Sequence, residues 1–76
     1  MRISEVMSRD VEWIAPDTSL RDASVRMRDG DLGILPVGRD DRLVGMVSDR
    51  DIVIRGLARG LGPDEGTVAD VLTDAV

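Results

Sequence analysis

The first thirty residues alternate between short apolar stripes and turn-forming residues, and this pattern predicts a strand followed by a helix. Apolar positions three and four residues apart within residues 2–7 predict one short helical turn. The β-rich run 11–14 ends at an Ala-Pro-Asp-Thr sequence, so it predicts a first strand. Ser19 and Asp22 have the spacing of a capping box, and the apolar period that follows predicts a helix over 20–29.

A hairpin and a second helix are predicted in the next thirty residues. The apolar runs 32–37 and 42–47 are separated by a turn-forming Gly-Arg-Asp-Asp sequence, so we expect them to pair as antiparallel strands. Ser48 and Asp51 repeat the capping-box spacing, and the apolar face that follows predicts a helix that ends at Gly60. We therefore expect an α+β module of the order β-α-β-β-α. Its three-stranded mixed sheet has the first two strands parallel, the third antiparallel, and both helices on one face.

The strand predicted over 42–47 is apolar or small on both faces, with Val44 and Met46 on the second of them. Because two short helices cover only one face of a small sheet, we expect the second face to meet another protein surface. The simpler alternative is that Val44 and Met46 are isolated apolar residues at the surface.

Residues 67–76 repeat the pattern of residues 2–11, with apolar, acidic and hydroxyl side chains at matching positions. The two segments are one module apart, which predicts that 1–61 is a single module, that the Gly- and Pro-rich segment 62–66 is a linker, and that 67–76 begins a second, truncated module. Since ten residues make a short alignment, coincidence is the alternative. The missing second module favours a homodimer in which another copy of the chain replaces it.

The composition excludes most enzyme chemistry. The 76 residues contain ten cationic side chains, all of them Arg, and there is no Lys, His or Cys. An ordinary zinc site, a Ser-His or Cys-His nucleophile and a disulfide are therefore excluded, and only carboxylates remain as acids or bases. The net charge of −5 argues against nucleic acid as a partner, and no apolar run is long enough to cross a membrane. The expected location is the cytoplasm.

The run from Leu35-Pro36-Val37 through the hairpin to residues 43–52 resembles the signature of CBS domains, the regulatory modules named after cystathionine β-synthase. The most specific part is a Gly45-x-x-Ser48-x-x-Asp51 pattern that follows a strand and opens a helix. The resemblance extends over residues 2–61 and is greatest to short bacterial proteins that consist of two such modules. It implies modules that pack in pairs, with clefts that commonly take adenosine-containing ligands such as AMP, ATP or S-adenosylmethionine.

The residues themselves are compatible with a nucleotide at this place. The N–H groups at a helix start attract an anion, and Gly45 lets a ligand approach the backbone closely. Asp51 has the chemistry to accept hydrogen bonds from ribose hydroxyls, and Ser48 has the chemistry to donate to a phosphate. Including the positions that the family suggests for the base, the candidate ligand-binding residues are Ser48, Asp51, Asp49, Arg50, Gly45, Ile14, Trp13, Ile34 and Pro36.

Each of these assignments has a structural alternative. A Ser-x-x-Asp spacing between a strand and a helix is an ordinary capping box that implies no ligand. Trp13 is suited to stacking on adenine, but a lone Trp beside a sheet is also suited to a core or an interface. Trp13, Gly33 and Ile34 depart from the family pattern, which weakens the expectation for the base. We therefore expect a non-catalytic sensor of an adenosyl ligand that needs no cofactor, and a purely structural pairing module with an empty cleft is the alternative.

Overall fold

The computed structural model describes residues 13–74 and contains a three-stranded sheet with two helices. We number the elements in chain order. They are helix α1 (Leu20–Gly30), strands β1 (Ile34–Arg39) and β2 (Arg42–Ser48), helix α2 (a π-helical stretch, Asp51–Gly56, continued by a 3₁₀ turn, Leu57–Arg59), a second 3₁₀ turn (Val68–Asp70) and strand β3 (Thr73–Asp74). The predicted α+β fold is confirmed, as are both helices and the hairpin. The helical turn predicted within residues 2–7 lies outside the described residues. In the described part, no helix has the length and apolar character that a membrane span requires.

The sheet has the order β1-β2-β3, and both ladders are antiparallel. The predicted first strand is described only at its end, where Ile14 forms a single parallel bridge with Val37. The direction of this bridge agrees with the parallel crossover that we expect. β3 pairs with β2 through only two residues, and it comes from the segment in which the sequence predicts a second module. The assignment of 67–76 to a second module stays a prediction.

A β-bulge changes the direction of one side chain in β2. Val37 pairs with Gly45 but Gly38 pairs with Leu43, so Val44 is an extra residue in this strand. Val44 packs against the hydrophobic core instead of lying on the opposite face. The prediction that Val44 belongs to a second apolar face is therefore wrong, because simple alternation fails at a bulge.

One core lies between the sheet and the two helices. α1 contributes side chains at the predicted i, i+3, i+7 spacing, and the central pairs of the hairpin cover them from the sheet side. The segment after α2 adds two residues that are almost completely inaccessible to solvent, so it belongs to the same core. The core side chains are Ile14, Leu20, Ala23, Met27, Leu35, Val37, Val47, Ile52, Val68 and Val71.

α1 begins and ends with defined caps. The Oγ of Ser19 accepts a hydrogen bond from the N–H of Asp22 at 3.0 Å, as the capping spacing predicts. At the other end Asp31 adopts the left-handed conformation, with φ of 52°. The N–H of Leu32 donates to the carbonyl of Met27 at 2.9 Å, which completes a Schellman motif. The helix therefore ends through backbone geometry that usually employs glycine.

The segment predicted as a linker, 62–66, packs along the start of α1. The N–H of Leu20 donates to the carbonyl of Gly66 and the N–H of Arg21 to that of Pro63, so the segment satisfies two of the free donors at the helix start. Arg21 also forms a two-pronged ion pair with Asp64, with Nε–Oδ1 at 2.7 Å and Nη2–Oδ2 at 3.0 Å. This contact lowers the pKa of Asp64 and raises that of Arg21, mainly through the side-chain hydrogen bond.

Candidate ligand-binding site

Ser48 and Asp51 form a reciprocal capping box at the start of α2. The N–H of Ser48 donates to Oδ2 of Asp51, and the N–H of Asp51 donates to Oγ of Ser48, each at 3.0 Å. This is the geometry that the Ser-x-x-Asp spacing predicts, and it stabilises the junction between β2 and α2 whether or not a ligand binds. The structure therefore shows the capping box that was the alternative to a ligand role for these two residues. A ligand role must come from atoms that the box leaves free.

One atom of the box is free of hydrogen bonds. Oδ1 of Asp51 has no hydrogen-bond donor among the described residues, and its nearest cation is Nε of Arg55 at 3.8 Å. The side chain of Asp51 is 16% exposed, so a ligand can reach it. A carboxylate oxygen in this position has the capacity to accept hydrogen bonds from hydroxyl groups.

The N–H groups at the start of α2 already donate hydrogen bonds within the chain, so they attract an anion less than free N–H groups would. Besides the two that the box uses, the N–H of Asp49 donates to the carbonyl of Gly33, and the N–H of Arg50 donates to Oδ1 of Asp49. All four N–H groups from Ser48 to Asp51 thus have acceptors within the chain. A phosphate at this place would have to displace one of these contacts, which reduces the attraction that a bare helix start exerts.

Four side chains share the sheet face opposite the core, and we call this the outer face: Ile34, Pro36, Met46 and Ser48. Ile34 pairs with Ser48 and Pro36 pairs with Met46 across the hairpin. Because side chains alternate along a strand, these four point away from the core residues between them. Ile34 is 53% exposed and Pro36 is buried. The structure therefore brings Ile34 and Pro36 to the face that ends at the capping box.

Gly45 is separated from this group because a side chain at this position would point toward β3. A Cβ at Gly45 would overlap the carbonyl oxygen of Thr73 and lie 2.9 Å from Cδ1 of Leu72. The close approach that this glycine permits is therefore made by the neighbouring strand. This contact accounts for a glycine here without a ligand.

Ile14 and Trp13 have different surroundings. The N–H of Ile14 donates to the carbonyl of Pro36 at 3.0 Å, and its carbonyl accepts from the N–H of Gly38 at 2.9 Å. Both backbone groups are thus occupied by the sheet, and the side chain is 3% exposed in the core. Trp13 is 42% exposed, so it does not serve the core. Its exposed ring is compatible with either an interface or a ligand platform.

Asp49 and Arg50 lie at the surface, beside a cavity of about 330 Å³ that Val53 and Ile54 complete. Sequence reasoning missed Arg55, which is the nearest cation to Asp51 and also lines a second cavity with Arg59. The i, i+4, i+8 spacing of Asp51, Arg55 and Arg59 is the signal that would have found this cluster, because such residues share one side of a helix.

The fold and the site define a small α+β module with a capped strand-to-helix junction beside the outer face of the sheet. The sequence matches the CBS domain family over residues 3–57. The chain belongs to the CBS domain family, and the predicted resemblance is confirmed.

The chain is similar to Hypoxic response protein 1 of Mycobacterium tuberculosis, with 42% identity over 73 residues. This match covers 95% of the chain and 51% of the relative, so the chain spans about half the length of that protein. The fold is also similar to a crystal structure of Hypoxic Response Protein I with two coordinated zinc ions, with a TM-score of 0.77 and 41% identity over 95% of this chain and 59% of that one. The sequence here has no His or Cys, and its described residues contain no cluster of three acidic side chains that would hold a metal.

A hexameric CBS-CP12 protein from bloom-forming cyanobacteria has a similar fold as well. The TM-score is 0.76 and the identity is 25%, over 100% of this chain and 43% of that one. CBS domains pair, and this relative is a hexamer.

Proposed function

We propose that this chain is a non-catalytic sensor module that binds an adenosine-containing ligand, such as AMP, ATP or S-adenosylmethionine, in a cleft between two paired modules. Membership of the CBS domain family supports a regulatory role. The absence of Lys, His and Cys from the sequence supports a role other than catalysis, because the usual nucleophiles and bases are missing.

The observation that carries the proposal is the free oxygen of Asp51. Oδ2 is held by the N–H of Ser48, which fixes the carboxylate, while Oδ1 has no hydrogen-bond donor and is accessible. A fixed carboxylate with one free oxygen suits a ribose, whose hydroxyls donate hydrogen bonds. Ile34 on the adjoining outer face is 53% exposed and offers an apolar surface to the base.

The substitution Asp51→Asn tests this role, because Asn keeps the size and an acceptor oxygen but loses the charge. We expect the affinity for the adenosyl ligand to fall by about 1.5 to 3 kcal/mol, or about 10- to 150-fold, since hydrogen bonds to charged groups have this strength. The measurement is calorimetric titration of folded protein with AMP, ATP and S-adenosylmethionine.

Asp22→Asn is the matched control, since Asp22 has the same Ser-x-x-Asp spacing at the start of α1. We expect this control to bind the ligand as the unmodified chain does. Equal affinity of Asp51→Asn and the unmodified chain would reject the ribose role.

The second candidate function is a structural pairing module whose cleft stays empty. The completed capping box favours it, because Ser48 and Asp51 stabilise the fold without any ligand. A thermal-shift screen separates the two functions. A ligand at about 100 times its dissociation constant stabilises a protein by about 2.7 kcal/mol, whereas an empty cleft predicts no shift with any adenosyl compound.

We also propose that the paired module is a second copy of this chain, which makes a homodimer that imitates a tandem pair. Met46 is the apolar centre of the outer face, and Val44 takes no part because it packs against the core. In this arrangement the outer faces of the two copies cover each other and form the cleft.

A further inference from the structure

A cavity of about 280 Å³ lies between the end of α2 and the 3₁₀ turn that precedes β3. It is lined by Arg55, Arg59, Leu61 and Asp70. Its volume is just below the range of about 300 to 1,000 Å³ for ligand pockets, so it suits a single small group and not a whole nucleotide. The CBS signature does not include it, and Arg55 is the one residue that it shares with the surroundings of Asp51.

The two arginines in this cavity retain most of their hydrogen-bonding capacity. Arg59 makes no side-chain hydrogen bond or ion pair with another described residue. Nε of Arg55 is 3.8 Å from Oδ1 of Asp51, which is too long for a hydrogen bond. Each guanidinium carries five N–H donors, and no acceptor of the described chain is within hydrogen-bond distance of these two.

The one acid in the cavity is engaged elsewhere. Oδ2 of Asp70 accepts hydrogen bonds from the N–H of Thr67 at 2.9 Å and from its hydroxyl at 3.3 Å. Asp70 is therefore held as the cap of its own turn. The carboxylate of Asp51, 3.8 Å from Nε of Arg55, is the second acid near the two arginines, so the attraction for an anion rests on their unused N–H donors. Two cations in one pocket stand out in a chain whose net charge is −5.

The start of α2 does not compete strongly for the same kind of ligand. Its four N–H groups all have acceptors within the chain, as described above. An anion that approaches α2 therefore finds unsatisfied donors at Arg55 and Arg59 instead. Guanidinium groups match the oxygens of a phosphate in geometry and in charge.

We propose that Arg55 and Arg59 bind a phosphate group of a small phosphorylated ligand. The phosphate oxygens accept hydrogen bonds from both guanidinium groups above the aliphatic side chain of Leu61. This site does not depend on the ribose role of Asp51, although Arg55 lies next to both. The phosphate is either that of a nucleotide or that of a separate phosphorylated compound.

The test is a titration of the full chain with inorganic phosphate at constant ionic strength, followed by NMR of the arginine Nε–H groups. We expect saturable shifts for Arg55 and Arg59. We expect Arg59→Gln and Arg55→Gln each to weaken phosphate binding about tenfold or more. Arg42→Gln is the matched control, because it removes the same charge from an exposed position on β2, and we expect it to change the affinity less than twofold.

Three results would overturn the proposal: shifts that do not saturate, equal weakening by Arg42→Gln, or loss of phosphate binding in Asp51→Asn. The last would place the phosphate at the capping box. Comparison of AMP with adenosine identifies the source of the phosphate. If the phosphate belongs to a nucleotide, Arg59→Gln weakens the binding of AMP but not that of adenosine. If it belongs to another compound, inorganic phosphate and AMP bind at the same time. A failed adenosine titration with an intact phosphate site rejects the ribose role alone.

Discussion

Asp51 has two tasks, and each uses a different oxygen of its carboxylate. The capping box uses Oγ of Ser48 and Oδ2 of Asp51, so the ligand role that we propose rests on Oδ1 of Asp51. The box also orients this oxygen, because a carboxylate fixed at one oxygen cannot rotate freely. Stability and recognition are therefore joined in one side chain.

Gly45→Ala tests whether this glycine serves the fold. Since the added Cβ would overlap the carbonyl oxygen of Thr73, we expect β3 to be displaced and the free energy of unfolding to fall by about 1 to 3 kcal/mol. The measurement is urea denaturation followed by the fluorescence of Trp13, the sole aromatic residue of the chain. Gly33→Ala is the control, because its Cβ would meet only the carboxylate of Asp49 at 3.6 Å, an ordinary contact. Equal stability of both variants would contradict the packing role of Gly45.

Among the elements, α1 and the hairpin could be predicted from the sequence because local signals define them. The cap at Ser19 and the apolar period that follows it fix α1, although the cap at Asp31 was not predicted. The turn-forming sequence that contains Asp40 and Asp41, both with positive φ, fixes the hairpin. β3 could not be predicted, because Thr73 and Asp74 form a strand only through their pairing with β2.

Two further features of the elements could not be predicted from the local sequence pattern. The bulge that turns Val44 inward depends on the register between β1 and β2, which alternation within one strand does not report. The π-helical form of α2 accompanies a close contact, since a Cβ at Gly56 would lie 2.9 Å from Cδ1 of Leu20. In the candidate site, the Ser48–Asp51 pair was predictable, and the i, i+4 spacing of Asp51 and Arg55 was a sequence signal that went unused, whereas the free Oδ1 required coordinates.

The C-terminal end of α1 provides a stability prediction. Asp31 has a φ of 52°, a conformation that glycine adopts without steric cost. We expect Asp31→Gly to raise the free energy of unfolding by about 0.5 to 1 kcal/mol, and urea denaturation measures this change. Asp29→Gly in the last turn of α1 should lower it by a similar amount, because glycine weakens a helix interior. A loss of stability in Asp31→Gly would mean that the aspartate side chain matters more than the backbone conformation.

The ion pair between Arg21 and Asp64 predicts a dependence on pH. The hydrogen bond from Arg21 holds the pKa of Asp64 below its ordinary value of 3.8. A carboxyl whose pKa is lower in the folded state stabilises the fold above its ordinary pKa, and this contribution disappears as the pH falls through the lower folded value. NMR titration of the Asp64 carboxyl should show its pKa rise toward the ordinary value in Arg21→Gln. An unchanged pKa would show that the pair does not persist in solution.

For the whole molecule, the central question is what covers the outer face. The two helices pack on the opposite side of the sheet, and the bulge removes Val44 from the outer face. The apolar residues that remain there are Ile34, Met46 and the buried Pro36. The chain spans about half the length of the relative from Mycobacterium tuberculosis. In the homodimer that we propose, a second copy of this chain covers the outer face and completes the cleft beside Asp51.

The most direct test is the solution mass of the 76-residue chain, measured by light scattering at high micromolar concentration. The chain has a mass of 8.3 kDa, and we predict twice this value. Met46→Glu should restore the monomer mass, because it places a charge in the centre of the contact. Val53→Glu, on the exposed side of α2, should leave the dimer intact. A monomeric unmodified chain, or a dimer that Val53→Glu dissociates and Met46→Glu does not, would contradict pairing through the outer face.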